Sequence, residues 1–332
     1  MLEWVTHNSR VLQGFPMGDP TERTFPIYLP PGYCAGVAPY PTVYFLAGFS
    51  GKGATYLTDD SAYGMPLHKR FDRAIEEGRM RPFIGVFPDC TSKMGHSQYV
   101  NSPAFGPYMD YLCDELTAFI DERYPTHGDS LHRVLAGHSS GGFGALVTGM
   151  QRPDAFHWLC VSAADSFYEA CFLPHLTPTL IEIQKAGSIA AFIENVLNKP
   201  SARNIGGREF EAMMVLAMAP CYAPNLENPP LYGDPFFDLE TGALRLDIWE
   251  KYLAWDPIRM VDRFAANLKK LGFVQLECGL QDEHGLQWGH RQLARKFAKL
   301  GIAHELNEYP GGHGGHHWRF ESRLTRLFEK ML

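Results

Sequence analysis

Leu131-His132-Arg133-Val134-Leu135-Ala136, then Gly137-His138-Ser139-Ser140-Gly141, then Gly142-Phe143-Gly144-Ala145-Leu146-Val147 is the stretch that decides the fold. It reads as a short apolar strand, a sharp turn and a small-residue helix that stops near Pro153. In that setting G-x-S-x-G marks a serine held on a strained turn between strand and helix. Such a hydroxyl can attack a carbonyl if a base reaches its proton, and the turn needs glycine where backbones crowd. Gly137 and Gly141 meet that need.

Outward from this turn, runs rich in Val, Ile, Phe and Tyr alternate with helical patterns, which predicts an α/β chain with a mostly parallel central sheet flanked by helices. Residues 9–15 and 23–29 read as an antiparallel pair. Strands are expected at 41–46, 83–87, 158–162, 273–278 and 303–309, besides the one before Ser139. Helices are expected at 67–79, 108–124, 180–197, 260–271, 286–300 and 318–332. The gap after strand 158–162 is too long for one crossover helix. It divides the chain into a core of residues 1–165 and 251–332 and a cap, residues 166–250, inserted after the sixth strand.

At 332 residues and 45% hydrophobic content the chain can bury a large core. A net charge of -7 without a basic block offers nothing to a phosphate backbone, so a nucleic-acid partner is not expected. No apolar run reaches membrane-spanning length, and the first residues lack the pattern of a signal peptide. Seven scattered cysteines without a C-x-x-C pair read as reduced thiols of a cytoplasmic protein.

A serine nucleophile needs a base and an acid that orients it, in the chain order Ser, then Asp or Glu, then His. Asp282 follows strand 273–278 across Gly279-Leu280-Gln281, at a carboxyl edge where ligands sit in such sheets. It could equally cap the helix from Leu286, and Glu283 is an alternative acid placed nearer that helix. After the last strand, Tyr309-Pro310-Gly311-Gly312-His313-Gly314-Gly315-His316-His317 offers three histidines. His316 and His317 abut the final helix, whose positive amino end opposes an imidazolium, so His313 is the better base and His316 the rival. No carboxylate or cysteine joins His313 and His316 at ligand spacing, so no metal is expected. Backbone amides for an oxyanion come from Ser140 and from the glycine-rich loop Ala47-Gly48-Phe49-Ser50-Gly51-Lys52-Gly53, which lacks phosphate-loop spacing. Phe167, Tyr168, Trp249, Tyr252 and Trp255 are candidates for an apolar pocket, though aromatic residues at such positions are more often core.

Tyr28-Leu29-Pro30-Pro31-Gly32-Tyr33, Leu46-Ala47-Gly48-Phe49, the Ser139 turn with Gly142-Phe143-Gly144-Ala145-Leu146, Cys278-Gly279-Leu280-Gln281-Asp282-Glu283 and Tyr309-Pro310-Gly311-Gly312-His313 together resemble the esterase D-like esterases of the α/β-hydrolase fold. Relatives in that group include feruloyl and acetylxylan esterases, enterochelin esterases and S-formylglutathione hydrolases. The resemblance implies Ser139 as nucleophile, Asp282 as acid, His313 as base and the Phe49 and Ser140 amides as oxyanion donors. It implies a serine carboxylic-ester hydrolase acting on a small or medium ester without a cofactor. Acyl transfer by the same residues and a non-catalytic binding module on the same scaffold are the alternatives. The sequence names neither the substrate-binding residues nor an oligomeric state, and a homo-oligomer is compatible with it.

Overall fold

Short β-branched and aromatic runs pair into one eight-stranded sheet in a computed structural model, which describes residues 1–36, 38–58 and 64–331. The strands are β1 (Leu2–Asn8), β2 (Glu22–Tyr28), β3 (Thr42–Leu46), β4 (Ile84–Val86), β5 (Arg133–His138), β6 (Trp158–Ser162), β7 (Phe273–Gly279) and β8 (His304–Tyr309). Their order across the sheet is β1-β2-β4-β3-β5-β6-β7-β8. β1 and β2 run antiparallel, β2 is antiparallel to β4, and from β4 to β8 every pairing is parallel. The expected α/β architecture with a mostly parallel sheet is therefore present.

Among the described residues ten longer helices flank the sheet: α1 (Leu67–Glu76), α2 (108–123), α3 (Ser140–Gln151), α4 (Leu176–Ala186), α5 (Ile189–Leu197), α6 (Gly207–Ala217), α7 (Leu246–Leu253), α8 (Pro257–Leu268), α9 (Leu286–Leu300) and α10 (Phe320–Lys330). α2 joins Tyr108–Asp110 to Thr117–Arg123 through a π-helical stretch, Tyr111–Leu116. Shorter helical turns include Tyr168–Cys171 and Ala219–Tyr222. Among the described residues no helix is long and apolar enough to cross a membrane.

The period of two along β3 shows how the sheet is covered. Tyr44 and Leu46 join one core cluster with residues of α2, α3, α8 and α9, while Val43 and Phe45 join the opposite one with α1 and α10. Phe45 lies parallel to Phe87 at 4.5 Å between ring centres and meets Phe320 edge-on at 5.7 Å. Burying one such ring contributes about 1.5–3 kcal/mol. The two packed faces hold the parallel strands so that their carboxyl ends, and the loops leaving them, share one edge.

Three expectations about elements need correction. The first strand is Leu2–Asn8, not 9–15, because residues 10–12 turn their amides elsewhere. Arg10 N and Val11 N donate to the Glu115 carboxylate at 2.7 and 3.4 Å, and Leu12 N donates to Ser9 Oγ at 3.2 Å. The helix read over 180–197 is two, α4 and α5, broken where Gly187 turns left-handed at φ 90° and Ser188 caps the next helix through Ala191 N. No sequence expectation covers α6 or α7. The last helix ends at Lys330, and the expected terminus at Leu332 lies outside the described residues. Between β6 and β7 the described chain adds no strand to the main sheet.

Candidate active site

Ser139 sits between β5 and α3 with φ 60° and ψ -127°, a conformation unfavourable for a residue with a side chain. The turn is tight enough to explain its sequence. A Cβ on Gly137 would lie 2.1 Å from Gly141 O, and one on Gly141 would lie 1.9 Å from Leu46 O. Ser139 N donates to Ser162 O at 2.9 Å, which ties the turn to the end of β6.

The loops after β7 and β8 bring the other candidates to this point. His313 Nε2 lies 3.0 Å from Ser139 Oγ, and His313 Nδ1 lies 2.9 Å from Asp282 Oδ2. Asp282 is buried and also accepts from His284 N at 3.0 Å. It does not cap α9, whose N-cap is Gly285. Glu283 reaches His313 by a different atom, accepting from the His313 backbone amide at 2.9 Å. His316 packs edge-on against Tyr309 at 4.7 Å, so the structure brings His313 rather than His316 to Ser139.

Electrostatics single out the same imidazole. Burial pulls His313 downward, but the hydrogen bond and charge of Asp282, aided by Asp165 and Glu283, more than reverse this and lift it above its ordinary 6.5. Burial pushes the Asp282 carboxyl up, yet the hydrogen bond and charge of His313 with the His284 amide hold it below its ordinary value. Three more imidazoles crowd in: the His138 and His284 rings each lie 4.7 Å from that of His313, and the His317 ring lies 5.1 Å from that of His138. Burial and the neighbouring imidazoles lower His138 well below the ordinary value and His317 to about 4. Of these rings His313 alone is held above its ordinary value, while His284 is also lowered by burial and by His313.

The remaining wall is the loop after β3. Gly48 lies against Ser139, since a Cβ there would stand 3.1 Å from Ser139 Cβ, and Gly51 N closes a turn onto Gly48 O at 3.0 Å. Ser140 opens α3, where a helix leaves its first amides without an intrahelical acceptor. Lys52 pairs with the Asp89 carboxylate at 2.8 Å, which occupies the one cation of that glycine-rich loop.

A cavity of about 260 Å³ opens above Ser139, with Phe49, Tyr56, Phe210, Met214 and His284 in its wall. None of the five aromatic candidates lines it: Tyr168, Trp249 and Tyr252 are buried core. Phe210 and Met214 come from α6. Their signal was present in Phe210, Met213, Met214 and Ala217 at helical spacing, with Glu209 accepting from Gly206 N at 2.8 Å to start the helix. Sequence reasoning also passed over His96, Gln98, Tyr99 and Asp165, all buried beneath the site.

The family model described as "Putative esterase" matches residues 19–328. An endo-1,4-beta-xylanase/feruloyl esterase of Xylanibacter ruminicola is 28% identical over 141 residues, a match spanning 41% of this chain and 19% of that relative. Among solved structures, a ferulic acid esterase aligns over 100% of this chain and 98% of its own, with a TM-score of 0.63 at 16% identity. An S-formylglutathione hydrolase from Agrobacterium tumefaciens aligns over 100% and 94%, with a TM-score of 0.56 at 16% identity. At such identity these two structures show a shared fold.

Proposed function

The chain belongs to the esterase family whose model spans residues 19–328, and from that premise we propose that Ser139 is the nucleophile of a carboxylic-ester hydrolase that works through an acyl-serine intermediate. The observation that carries this reading is the unbroken line Ser139 Oγ, His313, Asp282, with steps of 3.0 and 2.9 Å. His313 Nδ1–H donates to Asp282, which leaves Nε2 free to take the Ser139 proton as Oγ attacks the ester carbonyl. The oxyanion is received by the Phe49 and Ser140 amides. The imidazolium then protonates the leaving alcohol, and water attacks the acyl-serine by the same route in reverse. A fluorophosphonate is expected to form one covalent adduct, at Ser139, located by peptide mass spectrometry; adduct formation elsewhere, or none, overturns the assignment.

Residues 166–250 act in this reading as a cap over the nucleophile. Phe210 and Met214 of α6 support it by their place in the cavity wall. Phe49 and Phe210 meet at 5.3 Å and also line a second cavity of about 300 Å³ with Met94, Val196, Ile205 and Met213. His313, His284 and the histidine loop belong to the first cavity. The base must protonate the leaving oxygen, so the alcohol lies on the histidine side and the acyl group extends toward the second cavity. Its volume corresponds to about ten non-hydrogen atoms at the share one water occupies in the liquid. kcat/KM is therefore expected to rise from p-nitrophenyl acetate to the octanoate. Ile205→Trp should cut the octanoate-to-acetate ratio by about tenfold or more. A ratio unmoved by Ile205→Trp places the acyl group elsewhere. All seven cysteines are free and six are buried, which supports a reducing, cytoplasmic setting.

A further inference from the structure

Beneath the nucleophile a four-residue segment, His96–Tyr99, touches both strands of chain assigned above as oxyanion donors. On one side Tyr99 Oη–H donates to Ala47 O at 2.9 Å, and His96 Nε2 lies 3.2 Å from the same oxygen. Gln98 N donates to His96 Nδ1 at 2.8 Å, so the ring proton sits on Nε2 and that nitrogen also donates to Ala47 O. Burial holds His96 down at about 4, which keeps the ring neutral. The Ala47 carbonyl, two residues before Phe49, is thus held from two directions.

On the other side Gln98 Nε2 donates to Ser140 Oγ at 2.9 Å, and Ser140 Oγ–H donates to Asp165 Oδ2 at 3.1 Å. The Tyr99 ring also presses on α3, since a Cβ on Gly144 would lie 2.2 Å from it. Gln98 and Tyr99 take left-handed φ values of 51° and 55°, and both are fully buried. Non-glycine residues hold that conformation where surroundings over-determine it, and such positions gather at functional sites.

We propose that His96, Gln98 and Tyr99 are positioning residues that set the separation of the Phe49 and Ser140 amides, and so tune the protein to the oxyanion rather than to the ester. The proposal rests on the hydrolase reading above. Donors to an oxyanion act only if aimed at where the charge develops, and a displacement of about 1 Å can cost on the order of a hundredfold in rate. None of the three side chains lines the cavity above Ser139; they act through Ala47 O and Ser140 Oγ.

The test uses Tyr99→Phe, which removes one oxygen and keeps the ring on Gly144, and Gln98→Met, which keeps length and removes the donor. Each is expected to lower kcat about tenfold, with KM changing less than about threefold. The inhibition constant of a trifluoromethyl ketone, whose adduct carries the oxyanion, should rise in the same proportion as kcat/KM falls. Loss of fold alone would not produce that proportionality. Should Gln98→Met fail to fold, Tyr99→Phe decides. If kcat stays within twofold, or falls while ketone affinity holds, the clamp is overturned although wild-type Ser139 labels with fluorophosphonate. If the wild-type protein does not label at Ser139, the hydrolase reading falls first and the clamp with it.

Discussion

Ser139→Ala is expected to lower kcat for short-chain p-nitrophenyl esters by on the order of 10⁵–10⁶-fold while the protein stays folded. The change removes one oxygen from a turn whose backbone is held by Gly137, Gly141 and the Ser162 carbonyl, so the scaffold has no reason to collapse. What it removes is the only atom in the line with His313 and Asp282 that can bond to the acyl carbon. The residual rate would come from the oxyanion amides and binding, with water attacking directly. Steady-state rates together with loss of fluorophosphonate labelling check the result. Activity within tenfold of wild type would end the assignment of Ser139.

Asp282→Asn is expected to cost on the order of 10⁴-fold in kcat and to move the pH profile in a defined direction. On the proposed assignment the base works only when neutral, so the acid limb of kcat/KM is expected to follow the free-enzyme value of His313, which is raised above its ordinary 6.5. Asp282 supplies the largest upward influences on that value. With an amide in its place, burial dominates and the acid limb moves to lower pH even as the maximum rate falls. The amide can also donate to Nδ1, which leaves the ring proton on Nε2, facing Ser139, where it cannot accept. A kcat/KM profile across the acidic and neutral range reads both effects. An acid limb that stays in place would show that Asp282 is not the partner of His313.

The candidate site was legible where its demands are local. Gly137 and Gly141 declare a turn too tight for a Cβ, Asp282 stands just past an apolar strand, and His313 stands in a glycine loop after the last one. The sheet was legible for a related reason, since strands packed on both faces read as short apolar runs. β1 was not, because Leu2–Asn8 is an edge strand whose Trp4 is exposed and whose stability comes from pairing with β2. The support beneath the site was hidden more deeply. Gln98 meets Ser140 and Asp165 across many residues of chain, and nothing in His96-Ser97-Gln98-Tyr99 as a string says that its side chains converge on two other loops. Glu283 shows the same limit: it was weighed as an acid, whereas it holds the main chain of His313 while Asp282 holds its ring.

The left-handed residues of this region bear on durability as well as on chemistry. Ser50, Gln98, Tyr99 and Ser139 all have positive φ, between 51° and 61°, and none is glycine. Each such residue costs about 1–3 kcal/mol, and together they approach the net stability of about 5–15 kcal/mol that a typical domain retains. Ser139→Gly is accordingly expected to melt above Ser139→Ala, although both are inert, because glycine alone accepts that turn without penalty. On the proposed assignment, the residues that would give this chain its catalytic competence are the ones that cost it resistance to heat, and they stand at a handful of positions around Ser139.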